Sequence, residues 1–351
     1  MDPVAALRRI GFLLERSRSP SYRVQAFRKA ALTLVTMDAD EIENRSRTGT
    51  LTDLAGIGPK TSTVIRQALE GRVPDYLADL EASFAPLVDG GDEIRAALRG
   101  DLHSHSNWSD GGSPIEEMAI SAKELGHEYQ ALTDHSPHLT VANGLSVERL
   151  RQQLKIVATL NKHLGDFRLL SGIECDINED GSLDQTDEML GRVDIVVASV
   201  HSKLRSDAGS MTRRMLRAIE NPHTDILGHC TGRLVTGGRG TRPESQFDAA
   251  RVFAACAEHG VAVEINSRPE RLDPPRRLLR QAVEAGCLFS IDTDAHAPGQ
   301  LDWQPYGCAR AEECAVPVDR IVNSWPAAKL LDWAGKNSPP QANPRLLNDT
   351  S

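Results

Sequence analysis

The chain has no C-x-x-C pair: its six cysteines, Cys175, Cys230, Cys256, Cys287, Cys308 and Cys314, stand singly along 351 residues. That spacing excludes a zinc ribbon or a compact disulfide framework and leaves reduced thiols. No apolar run approaches the roughly 18 residues of a membrane span, and the N-terminus lacks the charged-then-apolar order of a signal sequence. Both absences point to a cytoplasmic protein with no membrane partner. Nor is there an excess of positive charge, because the net charge is −9, which excludes a wholly basic nucleic-acid coat. The sum hides an asymmetry: residues 1–72 carry 12 Lys and Arg against 8 Asp and Glu, and the remainder carries 28 against 41. A mildly basic module in front of an acidic body fits a docking unit joined to a cation-holding unit. No short-period repeat is present, and the length accommodates one small and one large domain.

In the first segment Val4, Leu7, Ile10, Leu13 and Leu14 recur at helical spacing, as do Val24, Phe27, Ala31 and Leu34. Two glycines in Leu51–Lys60 interrupt that period before Ser62, Ile65 and Leu69 resume it. Such a pattern describes a helix-hairpin-helix. Gly56 and Gly58 allow a tight turn whose backbone amides can approach a phosphate, and the following helix N-terminus with Lys60 adds positive potential. A plain helix-helix turn would also need glycine, but Leu54, Ser62 and Ile65 fall on the packing positions of the nucleic-acid-binding motif. The expectation is a small all-α domain over 1–82 that binds DNA backbone through Gly56, Gly58 and Lys60 without reading sequence, then an acidic connector over 83–99.

Beyond the connector the chain changes class. Strand-like runs at 101–105, 129–133, 168–174, 194–200, 225–229, 261–266 and 288–293 alternate with helix-length segments such as 115–125, 146–163, 246–259 and 275–285, a pattern that predicts a parallel α/β sheet or barrel. Successive runs end at His103/His105, Asp134/His135, Glu174/Asp176, His201, His229, Glu264/Asn266 and Asp292/Asp294/His296. In parallel barrels the carboxyl ends of the strands share one face, so these side chains can converge although they span nearly two hundred positions. Imidazoles and carboxylates without thiolates suit Zn, Mn or Fe as divalent ions. The other histidines, His127, His138, His163, His223 and His259, read as surface or helix residues.

The motifs Asp-Leu-His-Ser-His with Ser109-Asp110-Gly111, Thr133-Asp134-His135-Ser136, Gly172-Ile173-Glu174-Cys175-Asp176, Ser199-Val200-His201-Ser202 and Asp292-Thr293-Asp294-Ala295-His296 resemble the PHP (polymerase and histidinol phosphatase) superfamily, in the version fused to bacterial family X DNA polymerases. Residues 1–82 resemble the helical DNA-binding domain of those polymerases. The resemblance implies a distorted (β/α)7 TIM-like barrel over 100–335; the tail over 336–351, with Pro339, Pro340 and Pro344 among polar residues, is expected from its composition to be disordered. It also implies three metal ions: His103, His105, Glu174 and Asp294 on the first, Glu174, His201 and His229 on the second, and Asp110, His135 and His296 on the third. Arg205, Arg233 and Arg268 follow strand ends closely enough to stabilise charge on a transferring phosphoryl group.

Two departures matter. Only about twenty residues separate the helical module from the barrel, too few for a polymerase palm, and the position where lyase-competent relatives carry a Schiff-base lysine is Val64. The expected function is therefore phosphoester hydrolysis at DNA ends, of the 3′-5′ exonuclease or 3′-phosphatase type used in repair, with no obligate protein partner. Alternatives are a small-molecule phosphomonoesterase such as a histidinol-phosphate phosphatase, or a DNA-binding scaffold with a vestigial site.

Overall fold

In the computed structural model, residues 1–238 and 240–336 are described, in two compact units: Met1–Leu87 with Ala297–Gln300, and Val88–His296 with Leu301 onward. The expected tail lies, from residue 337, outside the described residues.

The first unit is helical: α1 (Pro3–Arg16), α2 (Ser21–Val35), α3 (Ala39–Thr48), α4 (Pro59–Leu69) and α5 (Asp75–Ala82). Asp2 caps α1 by accepting from the Ala5 amide at 2.7 Å, and Gly49, with φ 75°, ends α3 in the left-handed region. The predicted periodicity becomes the core, where Leu7, Ile10, Phe27, Leu34 and Ile65 are buried together with Leu51, Ile57 and Val64. Gly56 turns the hairpin at φ 92°, where an L side chain would be strained and would also strike Lys29.

The second unit holds seven parallel strands in sequence order: β1 (Gly100–Asp101), β2 (Tyr129–Leu132), β3 (Arg168–Asp176), β4 (Ile195–Ser199), β5 (Ile226–Leu227), β6 (Ala262–Asn266) and β7 (Leu288–Asp292). Helices α6 (Asp92–Ala97), α7 (Ile115–Glu124), α8 (Val147–Leu160), α9 (Asp187–Leu190), α10 (Ala208–Ile219), α11 (Ala249–His259), α12 (Arg276–Glu284), α13 (Gln304–Glu313) and α14 (Ala327–Lys336) surround or follow them. Helix α6 falls within the 83–99 connector, and its Ile94, with Leu98, is buried in the barrel's core. All six cysteines are buried free thiols. Among the described residues no helix is long and apolar enough to cross a membrane.

Strand parity explains where the chemistry sits. Val196, Ala198, Val263, Ile265, Phe289 and Ile291 form one face, packed against Val252, Phe253, Leu279 and Met215 of the helices. The opposite face changes character along each strand. At its amino end Tyr129, Ala131, Leu170, Ile195, Val197, Ile226 and Ala262 make an apolar plug with Val322, Leu330 and Trp333. Further along, the same parity brings Glu174, Asp176, Ser199, Glu264, Asn266 and Asp292, all buried. A TIM-like barrel results, closed by a bridge between Ser104 and Ala295 just past β1 and β7.

Strand β1 pairs with β2 over two residues only, so 102–105 leaves that ladder earlier than the sequence reading expects. Past that ladder the segment bonds on both sides, Ser104 O accepting from the Thr133 amide at 2.8 Å and the His105 amide donating to Ala295 O at 2.7 Å. Asn323 completes the seam: its Nδ2 donates to Gly100 O at 3.0 Å and Ile291 O at 2.8 Å, while its Oδ1 accepts from the Ile291 amide at 3.1 Å. Truncation leaves the buried Ile291 amide unpaired at about 1–3 kcal/mol, while Gln304 Nε2 still donates to the Gly100 and Ile291 carbonyls at 2.9 and 3.1 Å. Asn323→Ala is accordingly expected to lower the unfolding free energy by at least about 1 kcal/mol in a urea titration.

Candidate metal centre

Glu174, 1% exposed on β3, is the hub of the carboxyl-end face. Its Oε1 lies 2.9 Å from His229 Nε2 and 3.2 Å from His201 Nε2. Its Oε2 lies 2.8 Å from His135 Nδ1, 3.3 Å from His103 Nε2 and 3.5 Å from His105 Nε2. Burial opposes ionisation, but His103, His201 and His135 outweigh it and hold the carboxyl well below its usual range. His105 stacks between His135 and His296, with ring centroids 4.4 and 4.3 Å away. Burial, then those two rings, push its pKa down to about 3.

Asp110, exposed, reaches His296 Nε2 at 3.3 Å and His135 Nε2 at 3.5 Å. It is carried on a turn that buried Asp134 ties down, accepting from the Ser106 amide at 2.8 Å, Ser106 Oγ at 2.6 Å and Ser109 Oγ at 2.5 Å, and from Gln153 Nε2 at 2.6 Å. Asp294 stands at φ 53°, a left-handed conformation Asp tolerates better than most residues, and its Oδ1 is 3.5 Å from His105 Nε2. All nine residues proposed as ligands therefore meet in one region. Their donor atoms form three mutually close groups: His103, His105 and Asp294; His135, Glu174 and His201; and His105, Asp110, His135 and His296. His229, expected beside His201, is in none of these groups, although it touches Glu174.

The fit to cations rests on what these atoms lack. His103 Nε2, both nitrogens of His105, His135 Nδ1, Glu174 Oε2, His201 Nε2 and His229 Nδ1 are buried without a hydrogen-bond partner. Each such group costs about 1–3 kcal/mol unless something satisfies it. Around them, partners hold the outer nitrogens. His103 Nδ1 meets Glu264 Oε1 at 2.5 Å, His201 Nδ1 meets Asp176 Oδ1 at 2.9 Å, and His296 Nδ1 meets Asp294 O at 2.8 Å. A proton on each Nδ1 leaves Nε2 unprotonated and facing inward, as metal-binding imidazoles require. The donor set suits divalent cations.

The expected arginines separate. Arg205 is exposed. Arg233 donates to the carbonyls of Arg271 and Leu272 and faces Glu244 at 3.7 Å, so it braces a loop. Arg268 reaches the centre, with Nη1 donating to Asp294 O at 3.1 Å and lying 3.0 Å from His296 Nδ1. Two arginines escaped the sequence reading. Arg271 Nε donates to Asp294 Oδ2 at 3.0 Å. Arg214 of α10, 3% exposed, donates to Ile177 O at 2.9 Å, Asn178 O at 2.9 Å and Ser202 O at 2.8 Å, tying the chain after Asp176 to the chain after His201. Its helical position carries no sequence signal of that role. Of the remaining histidines, His138 is exposed and pairs with Asp184 at 2.6 Å, whereas His127 and His223 are buried rather than on the surface.

In the hairpin, Lys60 is exposed on the first turn of α4, its Nζ 4.0 Å from the Tyr76 ring centroid. The Gly58 amide donates to Thr61 Oγ1 at 2.9 Å, so the amides left to face a ligand shift to the first turn of α4.

A parallel barrel that gathers imidazoles and carboxylates at its carboxyl end, with their inner atoms unsatisfied, is the framework of a metal-dependent hydrolase. The chain belongs to the PHP domain family, whose model matches residues 101–268, and it is a metal-dependent phosphoesterase of that family. Residues 1–73 match the helix-hairpin-helix domain. A probable phosphatase of Thermoanaerobacter sp. is 30% identical over 235 residues, which cover 64% of this chain and 89% of that protein. The DNA polymerase/3′-5′ exonuclease PolX of Bacillus subtilis is 40% identical over 227 residues, 65% of this chain, and the chain spans only 39% of its length. The crystal structure of histidinol phosphate phosphatase from Lactococcus lactis, complexed with zinc, L-histidinol and phosphate, is 18% identical and covers 68% of this chain and 94% of its own, with a TM-score of 0.43. Likeness at that level bears on neither chemistry nor substrate.

Glu264 grips two ligand-bearing segments at once, through His103 Nδ1 and the His229 amide, the latter at 2.5 Å. Losing such a partner typically costs about ten- to a hundredfold in metal affinity. Glu264→Gln is expected to show a drop of that size when Mn²⁺ is titrated against a chelating dye.

Proposed function

We propose that this protein hydrolyses phosphoesters at DNA ends, removing a 3′ nucleotide or a 3′ phosphate, and that its helical unit holds the DNA backbone. The observation that carries this reading is the helix-hairpin-helix domain on the same chain as the phosphoesterase barrel. The similarity to a polymerase/exonuclease over 65% of the chain supports it further. Water supplies the attacking oxygen: its bond to phosphorus forms, the bond from phosphorus to the 3′ oxygen breaks, and that oxygen leaves with a proton. Divalent ions, when bound by His103, His105, Asp110, His135, Glu174, His201, His229, Asp294 and His296, supply a water acidic enough to ionise near neutral pH and a positive clamp for the phosphoryl oxygens. The chain's own part is orientation. Glu264 and Asp176 keep protons on His103 Nδ1 and His201 Nδ1, Asp134 holds the Asp110 turn, and Arg268 sits over Asp294 and His296.

Val64, 1% exposed within the helical core, offers no amine for a Schiff base, so lyase activity is not expected. A second reading, hydrolysis of small phosphomonoesters, is favoured by the relative named a probable phosphatase, of which the chain covers 89%.

The deciding assay presents Mn²⁺-loaded protein with 3′-recessed, gapped and 3′-phosphate DNA and, in parallel, with histidinol phosphate and an aryl phosphate. Release of nucleotide or phosphate from DNA is expected, and turnover of the small esters alone would sink the proposal. The double variant His103→Ala with His105→Ala should abolish hydrolysis and leave DNA retention on a gel unchanged. Conversely, Lys60→Ala should weaken DNA binding and flatten its dependence on salt, read by fluorescence anisotropy across a salt series.

A further inference from the structure

The loop after β6 places two arginines beside Asp294, and they are committed differently. Arg268 spends Nη1 on the Asp294 carbonyl and lies 3.6 Å from Glu270 through Nε. Arg271 spends only Nε, on Asp294 Oδ2 at 3.0 Å, and its two Nη groups have no hydrogen-bond partner among the described residues. Its side chain is 16% exposed, so this edge of the guanidinium is neither sealed in the core nor free in bulk water. The group borders the donor cluster, because the other oxygen of that carboxylate, Asp294 Oδ1, lies 3.5 Å from His105 Nε2. Fixing Asp294 does not require it, because Asn266 Nδ2 already donates to the same Oδ2 at 3.3 Å.

A guanidinium pinned through Nε by a buried carboxylate is preorganised, and its open edge offers two parallel N–H groups that match two oxygens of a phosphoryl group. We propose that Arg271 is a catalytic residue that binds the non-bridging oxygens of the substrate's phosphoryl group through Nη1 and Nη2. The inference rests on the phosphoester reading above and names a group within it that recognises phosphate. Arg233, whose guanidinium is turned onto the Arg271 and Leu272 carbonyls, then serves to hold the backbone from which Arg271 projects.

The test uses the full chain loaded with Mn²⁺, in wild-type form and as Arg271→Met and Arg271→Lys. Orthophosphate is titrated by calorimetry, and the Mn²⁺ content of each protein is measured by elemental analysis. Arg271→Met is expected to bind orthophosphate at least tenfold more weakly at unchanged Mn²⁺ content, with Arg271→Lys intermediate because it keeps the charge and loses the fork. Equal phosphate affinity in all three proteins overturns the proposal. So does a fall in Mn²⁺ content that tracks the fall in phosphate affinity, since Arg271 would then act only through Asp294. A wild type that neither binds orthophosphate nor hydrolyses any phosphoester removes the phosphoester reading and this inference together. A wild type that hydrolyses phosphoesters, with Arg271→Met matching it in rate and KM, removes the inference alone.

Discussion

A carboxylate buried to 1% exposure has to be paired, and Glu174 is buried at a point where five imidazoles reach it and no Lys or Arg forms an ion pair with it among the described residues. Removing a charge from water without a partner is among the largest penalties a fold can carry. The rings that offset it carry several nitrogens that are themselves unsatisfied. Cations resolve both deficits together. Much of the surrounding architecture is intelligible as a means of holding those rings with Nε2 inward: Glu264 and Asp176 fix the outer nitrogens of His103 and His201, and Arg214 ties together the two segments that carry Asp176 and His201.

Such a centre is locally costly, and the same strands support it from below. On the inward-facing parity, Leu170, Ile195, Val197, Ile226 and Ala262 give way within a few residues to Glu174, Ser199, Glu264 and Asn266. The apolar half, plugged by Val322, Leu330 and Trp333, supplies burial that an entirely polar interior could not. Placing the costly groups at strand ends rather than mid-strand also leaves the ladders intact, so the barrel keeps its backbone hydrogen bonds while the ends present side chains. The helical unit has its own core, in which Leu7, Ile10, Leu34 and Ile65 are buried, and needs nothing from the barrel's interior to form its hairpin.

The element order, the barrel class and eight of the nine converging residues were legible beforehand for a physical reason, while Asp110, away from any strand end, came from the family resemblance alone. Strands of a parallel barrel start and stop at one level, so a His or Asp that closes a strand-like run is carried to a common face wherever it lies in the chain. His103 and His105 show the rule most simply, since residues two apart share a face. The rule fails for side chains that are not at strand ends. Arg214 lies mid-helix on α10 and Arg271 three residues past Arg268 in a loop. No period marks either one, and Arg233, equally plausible by position, turns its guanidinium away onto carbonyls.

By itself, then, the sequence determined which residues could serve: strand periodicity, the placing of imidazoles and carboxylates at strand ends, and the Gly56 turn are local properties that short-range sterics settle. Only the tertiary structure decided which of those residues share atoms. It showed that Glu174 reaches five rings, that His135 and His105 each join two donor groups, and that Asp110 closes on His296 and His135. It also decided which arginine keeps a free edge. Those outcomes depend on how neighbouring strands bring residues far apart in sequence within hydrogen-bonding distance, and local chain chemistry carries no record of that distance.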